Sequence, residues 1–279
     1  MRPEMSSALP SLSIVIPSYN QGQFIERTIQ SIVEQDYPNL QLILMDGGST
    51  DETMSIVERY RKHFAIVRHE KDGGQADAIA RGFTLCTGNI MTWLNSDDTY
   101  LPGTLRRVGE YFRDHPRAEF VYGDYQLIDA NDAIMAEKRQ PKFDLGVVKY
   151  AFLTVPQMSA FWSRDLYLRS GGVDPGLRFA MDYDLFVKLG TLSPAIHLPF
   201  AIGRFRIHSS SKTTTLEDVR QQEDRKIQDR VCRHSPIRHP VRFALARKWY
   251  QLKLIGLLWR NGTLVERLQA RLGNRGRSL

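Results

Sequence analysis

Three short polar clusters interrupt the apolar stretches in the first hundred residues of this chain. They are Pro17-Ser18-Tyr19-Asn20, Asp46-Gly47-Gly48-Ser49-Thr50-Asp51 and Asn95-Ser96-Asp97-Asp98. The last is the most chemical. Two adjacent carboxylates after an apolar run repel each other and resist desolvation unless a cation compensates. Oxygen ligands suit Mg²⁺ or Mn²⁺, which bridge one or two carboxylates to substrate phosphates. Such an ion neutralises the charge that develops on a departing diphosphate. The competing reading is a solvated pair capping the helix ahead of Pro102. Taken singly, each cluster also reads as a turn, a turn with a helix cap, or a polar loop. Their joint placement, each directly after a strand-like run, favours a site.

The elements that must position these clusters follow from apolar periodicity. Leu12 to Pro17 reads as a buried strand. Gln23 to Gln35 reads as a helix whose Phe24, Ile25, Ile29, Ile32 and Val33 form one apolar face. Leu40 to Met45 is a second strand, and a helix follows from Asp51 with Ser49 and Glu52 at capping-box spacing. Ala65 to Arg68 makes a third strand, Gln75 to Leu85 a helix and Asn89 to Asn95 a fourth strand. Pro102 to Asp114 is a helix with proline at its start, and Phe120 to Tyr125 continues the sheet. This alternation predicts an α/β fold with a mostly parallel sheet flanked by helices. Right-handed crossovers then bring all the strand carboxyl ends to one edge, where such sheets bind ligands. After Asp129 the rhythm gives way to mixed strands and short helices up to about His208. From Leu216 onward the pattern is mainly helical.

The chain has 279 residues, 42% hydrophobic and 25% charged, so a core forms without metal or disulfide staples. Cys86 and Cys232 are far apart and make no metal-ligand pattern; they read as reduced thiols. The opening residues lack the apolar run of a signal peptide, and no stretch reaches the ~18 apolar residues of a membrane span. The expected location is the cytoplasm. The net charge of +7 is uneven, because the segment from Arg233 to Leu279 alone holds eleven Lys and Arg residues against one acid, Glu266. The body is therefore slightly acidic, and the basic tail has a separate partner surface.

The segments PSYNQGQFIERTIQSI, MDGGSTDET, KDGGQADAIARGF, WLNSDD and MDYDLFVKL, in this order, resemble the family 2 glycosyltransferases over about residues 11 to 210. The resemblance implies a GT-A (Rossmann-like) domain, one divalent metal ion (Mn²⁺ or Mg²⁺) and inverting, non-processive transfer from a nucleotide-sugar donor. It divides the chain into an N-terminal lead (1–10), a glycosyltransferase domain (11–210) and a basic helical C-terminal extension (211–279). Within the domain it implies a donor half of about 11–125 and an acceptor half of about 126–210. It assigns Pro17, Tyr19, Asn20, Asp46, Gly48 and Ser49 to the nucleotide-binding edge. Asp72, Gly73 and Arg81 fall in a further donor-contacting region, with Asn95, Ser96 and Asp97 beside the metal. Asp98 matches the direct metal ligand, supported by Asp97 and by His208 after the last strand, with Lys212 near the same phosphates. Asp182 matches the catalytic base, and Gln157 falls on the acceptor side. Chemically, inverting transfer needs one carboxylate to take the acceptor proton. No second carboxyl need protonate the leaving group when a metal stabilises it. Asp184, two residues on, points elsewhere on a helix and reads as a capping or packing group.

Two departures from the family pattern stand out. Gly47 occupies a position that is often acidic, which removes a base contact and leaves the nucleotide unassigned. Asn95 stands where many relatives carry aspartate. Trp93 and Trp162 read as core rather than as sugar platforms. The segment from Val241 to Trp259 mixes Phe243, Leu245, Trp249, Leu252, Ile255, Leu257, Leu258 and Trp259 with Arg242, Arg247, Lys248 and Lys253. A helix of this kind can lie on an anionic membrane surface, which would suit a lipid-linked acceptor, or pack over the domain. No nucleic-acid recognition motif accompanies the charge. The reading is a transferase that builds a surface polysaccharide or glycolipid. The alternatives are a non-catalytic nucleotide-sugar binder of the same fold, and a nucleotidyltransferase. The loop after the first strand carries no lysine or arginine, which argues against the last.

Overall fold

The computed structural model describes residues 8–150, 153–208, 216–233 and 240–260. The first half is built as the alternation predicts. Strands β1 (Leu12–Ser18), β2 (Leu40–Asp46), β3 (Ile66–His69) and β4 (Ile90–Trp93) are parallel. Between them run helices α1 (Ile25–Val33), α2 (Thr53–Arg59) and α3 (Gln75–Thr84). Every residue of β1 is buried, because helices cover both faces of the sheet. Alternation along the strands separates two cores. Leu12, Ile14, Ile16, Leu42 and Leu44 pack with Ile25, Ile29 and Ile32 of α1 and with Ile56 and Val57 of α2. Val15, Ile43, Met45, Met91 and Trp93 pack on the other face with Ala78, Ile79 and Phe83 of α3.

Two helix starts differ from the sequence reading. No capping box forms at α2, because the hydroxyl of Ser49 is bonded to Asp46 instead. The N–H of Thr53 donates to Asp51 Oδ1 in its place (3.1 Å). The next helix, α4 (Thr104–Asp114), begins after a left-handed Gly103, so Pro102 stands just outside it.

Strand order is β3-β2-β1-β4-β8-β6-β9-β5, with β7 paired to β6. The later elements are β5 (Thr99–Tyr100), β6 (Phe120–Ile128), β7 (Ile134–Lys138), α5 (Leu145–Tyr150), β8 (Ala160–Ser163), α6 (Arg164–Ser170), α7 (Met181–Leu192) and β9 (Ile196–Arg206). Two further helices, α8 (Glu217–Arg233) and α9 (Pro240–Arg260), follow. The sheet is parallel from β3 to β4 and mixed beyond. β8 inserts antiparallel between β4 and β6, so Phe120–Ile128 continues the sheet without touching β4. β6 also runs through residue 125, where the donor and acceptor halves were expected to divide. Trp93 and Trp162 are fully buried and meet edge to face at 5.6 Å, which makes both of them core. The thiol of Cys86 is free and buried, while the side chain of Cys232 lies outside the described residues.

The two C-terminal helices are tied to the domain by named contacts. Ile227 and Val231 of α8 join a third core with Tyr183 and Val187 of α7 and Val148 of α5. Tyr250 of α9 stacks on Tyr150 (centroids 5.3 Å) and crosses α5 at Gly146, where any side chain would collide with its ring. Lys253 pairs with Asp144.

Candidate active site

In this sheet the chain moves outward from β1 to β3 and then returns to the other side of β1 as β4. The crevice beyond the carboxyl ends of β1 and β4 is a topological switch point, the place where open α/β sheets take ligands. A cleft of about 750 Å³ opens there. Its walls come from the three polar clusters and from the loop between β3 and α3. Pro17, Tyr19, Gly48, Asp72, Gly73, Ser96, Asp97 and Asn95 all face it, as does His208 after β9. Four separate loops and one strand end thus meet because parallel strands deliver their loops to one edge.

The β2 loop is built around Asp46. Its carboxylate is 2% exposed and accepts from the N–H groups of Gly48 (3.1 Å) and Ser49 (2.8 Å). The hydroxyl of Ser49 donates to the same carboxylate, and His69 Nδ1 lies 2.6 Å from it. Asp46 does not line the cleft; with these partners it shapes the loop. Asn20 and Ser49 similarly knit two loops together. Asn20 N–H donates to Ser49 Oγ (2.8 Å), and Thr50 N–H donates to Asn20 Oδ1 (2.9 Å). Gly48 has φ +88°, a left-handed backbone that favours glycine. Arg81, expected at the donor, is paired instead with Glu70 and Asp77 away from the cleft lining.

The departure at Gly47 has a steric explanation. A Cβ there would stand 2.9 Å from Asp72 Oδ2. Asp72, held by an N–H from Gly74 (2.8 Å), therefore brings a carboxylate to the space that an acid at position 47 would fill. Gly47→Ala is expected to lower Tm, and combining it with Asp72→Gly to recover most of the loss. Thermal denaturation of the three variants checks this; additive losses would show that the two sites do not share space.

Asp97 and Asp98 divide their work. Asp98 was expected to be the direct ligand, but its placement does not fit that role. Its carboxylate is fully buried below the cleft, accepting from Arg206 N–H (3.0 Å) and Asn95 Nδ2 (3.3 Å). Burial first, and the neighbouring Asp97 second, push its pKa well above the usual carboxylate range. Asp97 is the carboxylate on the cleft wall, with His208 Nε2 3.0 Å from its Oδ2. One carboxylate and one imidazole facing a phosphate-sized space suit a divalent ion that takes its remaining ligands from substrate and water. Among the described residues no trio of His, Cys, Asp and Glu side chains could hold an ion without such help. Lys212 lies outside the described residues.

Gln157 is not on an acceptor surface. It is buried, donating from Nε2 to the Trp93 carbonyl (2.7 Å) and accepting from Asn95 Nδ2 (3.2 Å). Asn95 is the hub of this floor, since its Oδ1 also accepts from Gln75 (2.7 Å) and Trp93 Nε1 (3.2 Å). Asp182 lies in the first turn of α7, half-buried, with its Oδ1 accepting from Tyr183 N–H (2.8 Å). One turn along the same helix face, Phe186 stacks on Trp93 (6.1 Å), at the end of the strand that leads to Asn95–Asp98. Burial raises the Asp182 pKa to about 6, with the Asp224 carboxylate of α8 adding to the effect. At neutral pH that is a carboxylate poised to take a proton.

The sequence profile of glycosyl transferase family 2 matches residues 13–167, just over half of the chain. The chain belongs to glycosyltransferase family 2. A PGL/p-HBAD biosynthesis glycosyltransferase of Mycobacterium bovis is 30% identical over 185 residues, covering 65% of this chain and 70% of that one. Two solved structures share the fold. TarS 1–349 of S. aureus, in complex with UDP-GlcNAc, superposes with a TM-score of 0.63 at 17% identity, covering 80% of this chain and 72% of that one. The mannosyltransferase PcManGT of Pyrobaculum calidifontis, in complex with GDP-Man and Mn²⁺, gives 0.63 at 20% identity, covering 98% and 82%. The chain spans 37% of the longer TarS chain. The fold is GT-A, and the protein is a glycosyltransferase.

The glycosyltransferase also uses residues that sequence reasoning missed. Arg206 is fully buried, donating to the carbonyls of Asp97 (2.7 Å) and Asp129 (3.0 Å) and pairing with Asp132 (2.5 Å). It anchors the Asp97 loop to β9. The signal was an arginine in the inward register of an apolar strand, two residues before His208. Ser18 Oγ and Gln21 Oε1 face the cleft buried and without a partner among the described residues, as ligand-facing groups do. Glu223 of α8 was also unmarked, because its task lies 43 residues away in sequence. Its carboxylate accepts from the N–H groups of Arg178 (2.7 Å), Phe179 (2.9 Å) and Ala180 (2.9 Å), at the start of the helix bearing Asp182. A carboxylate there satisfies donors that the helix itself cannot. Asp184 completes the tie, bonded to Arg230 of α8 and to Lys188 (2.7 Å) rather than facing the cleft. Glu223→Ala is expected to cost about 2 kcal/mol of stability, read by urea denaturation. A loss near zero would mean that α8 is not needed to hold α7.

Proposed function

We propose that this glycosyltransferase takes a sugar from a nucleotide-sugar donor seated in the cleft. It passes the sugar, with inversion, to a hydroxyl of a saccharide or lipid-linked acceptor, in the synthesis of a surface polysaccharide or glycolipid. The observation that carries the reading is the Asp97–His208 pair on the wall of the switch-point cleft. The names of the relatives support it, since one is a PGL/p-HBAD biosynthesis glycosyltransferase and two were solved with nucleotide sugars.

In this reading the donor's nucleoside lies along the β1 and β2 loops, between Tyr19 and Asp72. The diphosphate reaches Asp97 and His208, which would hold Mn²⁺ or Mg²⁺; the bound ion supplies charge neutralisation of the departing diphosphate. Ser18 and Gln21 offer buried polar contacts from the β1 side. Asp182 takes the proton of the acceptor hydroxyl as its oxygen bonds to the anomeric carbon. The bond from that carbon to the phosphate oxygen breaks, and its electron pair leaves with the nucleoside diphosphate. The donor-site assignments of Asp46, Asn20, Ser49 and Asn95 become loop- and floor-building roles.

Thermal shift with UDP-, GDP- and dTDP-sugars, each with and without Mn²⁺, tests the reading. A shift with one nucleotide class that requires the metal is the expected result. A shift that ignores the metal, or donor binding with no nucleoside diphosphate released in the presence of any acceptor, would favour a binding protein of the same fold.

A further inference from the structure

Helix α9 has two apolar faces, and among the described residues only one of them is covered. Tyr250, with the half-buried Leu254 and Leu257, lies on the side that meets α5. On the other side Leu245, Trp249, Leu252, Ile255 and Trp259 recur every three or four residues and are 48% to 72% exposed. At helical rise this stripe is about 21 Å long. Exposed apolar surface of that extent, including two tryptophans, marks an interaction face. The cations decide which kind. The helix carries five Lys and Arg residues and no acid, and Lys248 is exposed within the stripe. No described helix is long and apolar enough to cross a bilayer, so the face would lie on a membrane rather than span it. We propose that the outer face of α9 docks the enzyme on a bilayer surface carrying anionic headgroups. The tryptophans and leucines enter the headgroup–acyl boundary, and Lys248 meets the lipid charges. Tyr150–Tyr250 stacking and the Lys253–Asp144 pair couple this contact to α5, and α8 links α5 to the helix of Asp182. The proposal goes beyond the donor chemistry and gives a lipid-linked acceptor a place to be met.

The test needs neither donor nor acceptor, so its failure is distinct from failure of the transfer reading. The full chain is mixed with vesicles of phosphatidylcholine alone or with about 30% phosphatidylglycerol, and binding is read by co-sedimentation and tryptophan emission. Trp93 and Trp162 are buried, so a blue shift reports on Trp249 and Trp259. Binding to the anionic vesicles with a blue shift is expected. Trp249→Ser with Trp259→Ser should weaken it about tenfold or more, and Lys248→Gln about fivefold, with Tm unchanged. Absence of binding to either vesicle, or equal binding to both, would overturn the proposal. So would a concentration-dependent dimer, seen by light scattering, that Trp249→Ser dissolves, because a second copy would then own this face.

Discussion

Asp182→Asn is expected to slow transfer by about 10²- to 10⁴-fold while leaving donor affinity nearly unchanged. Asparagine keeps the shape and the hydrogen bond from Tyr183 N–H but cannot accept a proton. The pH dependence gives a second reading of the same group. Burial holds its pKa near 6 rather than in the ordinary carboxylate range. A base works only when ionised, so the wild-type rate should fall as pH drops through about 6. Stability moves the other way. A carboxyl whose pKa is raised by folding favours the folded state at low pH, and that contribution is lost as pH rises through about 6. The asparagine variant should therefore be at least as stable as wild type at pH 8. Rate profiles and thermal denaturation across pH check both halves. Near-normal turnover in Asp182→Asn would remove it from the role of base.

Replacing the two adjacent aspartates is expected to produce opposite failures. Asp97→Ala should abolish metal-dependent donor binding and leave Tm nearly intact, because its carboxylate faces the cleft and its loop is held through its backbone carbonyl by Arg206. Asp98→Ala should instead destabilise the fold by about 2–4 kcal/mol. It leaves the N–H of Arg206 and the amide of Asn95 without their buried acceptor. Donor-induced thermal shift together with urea denaturation separates the two. Were Asp98→Ala to keep full stability and lose only the metal response, Asp98 would be the ligand after all.

Helix α8 bears on the first prediction. Glu223 and Arg230 of α8 fasten the helix that presents Asp182, and Asp224 contributes to its raised pKa. Asp182 and the α8 residues that hold its helix all lie outside residues 13–167, which match the family profile.

The sequence by itself determined the parallel half of the sheet and the edge where chemistry gathers. Short continuous apolar runs in Leu12–Pro17 and Leu40–Met45, set against helical period in Phe24–Val33, are local information. Parallel strands then oblige the PSYN, DGGST and NSDD clusters to share an edge, whatever their fine geometry. Only the tertiary structure decided what each side chain faces. Asp97 and Asp98 are alike in type and adjacent, yet one lines the cleft and the other is buried, because β9 brings the N–H of Arg206 to Asp98 from 108 residues away. Gln157 was turned into the cleft floor by the insertion of β8 between β4 and β6, a pairing no local period records. Gly47 could be read only as a missing acid until the loop after β3 placed Asp72 against it. The two faces of α9 are equally apolar in sequence, and it is contact with α5 that covers one and leaves the other bare. Periodicity reports burial along one element; hydrogen-bond partners and like-sized neighbours are set by contacts distant in sequence, and those appear only when the chain is folded.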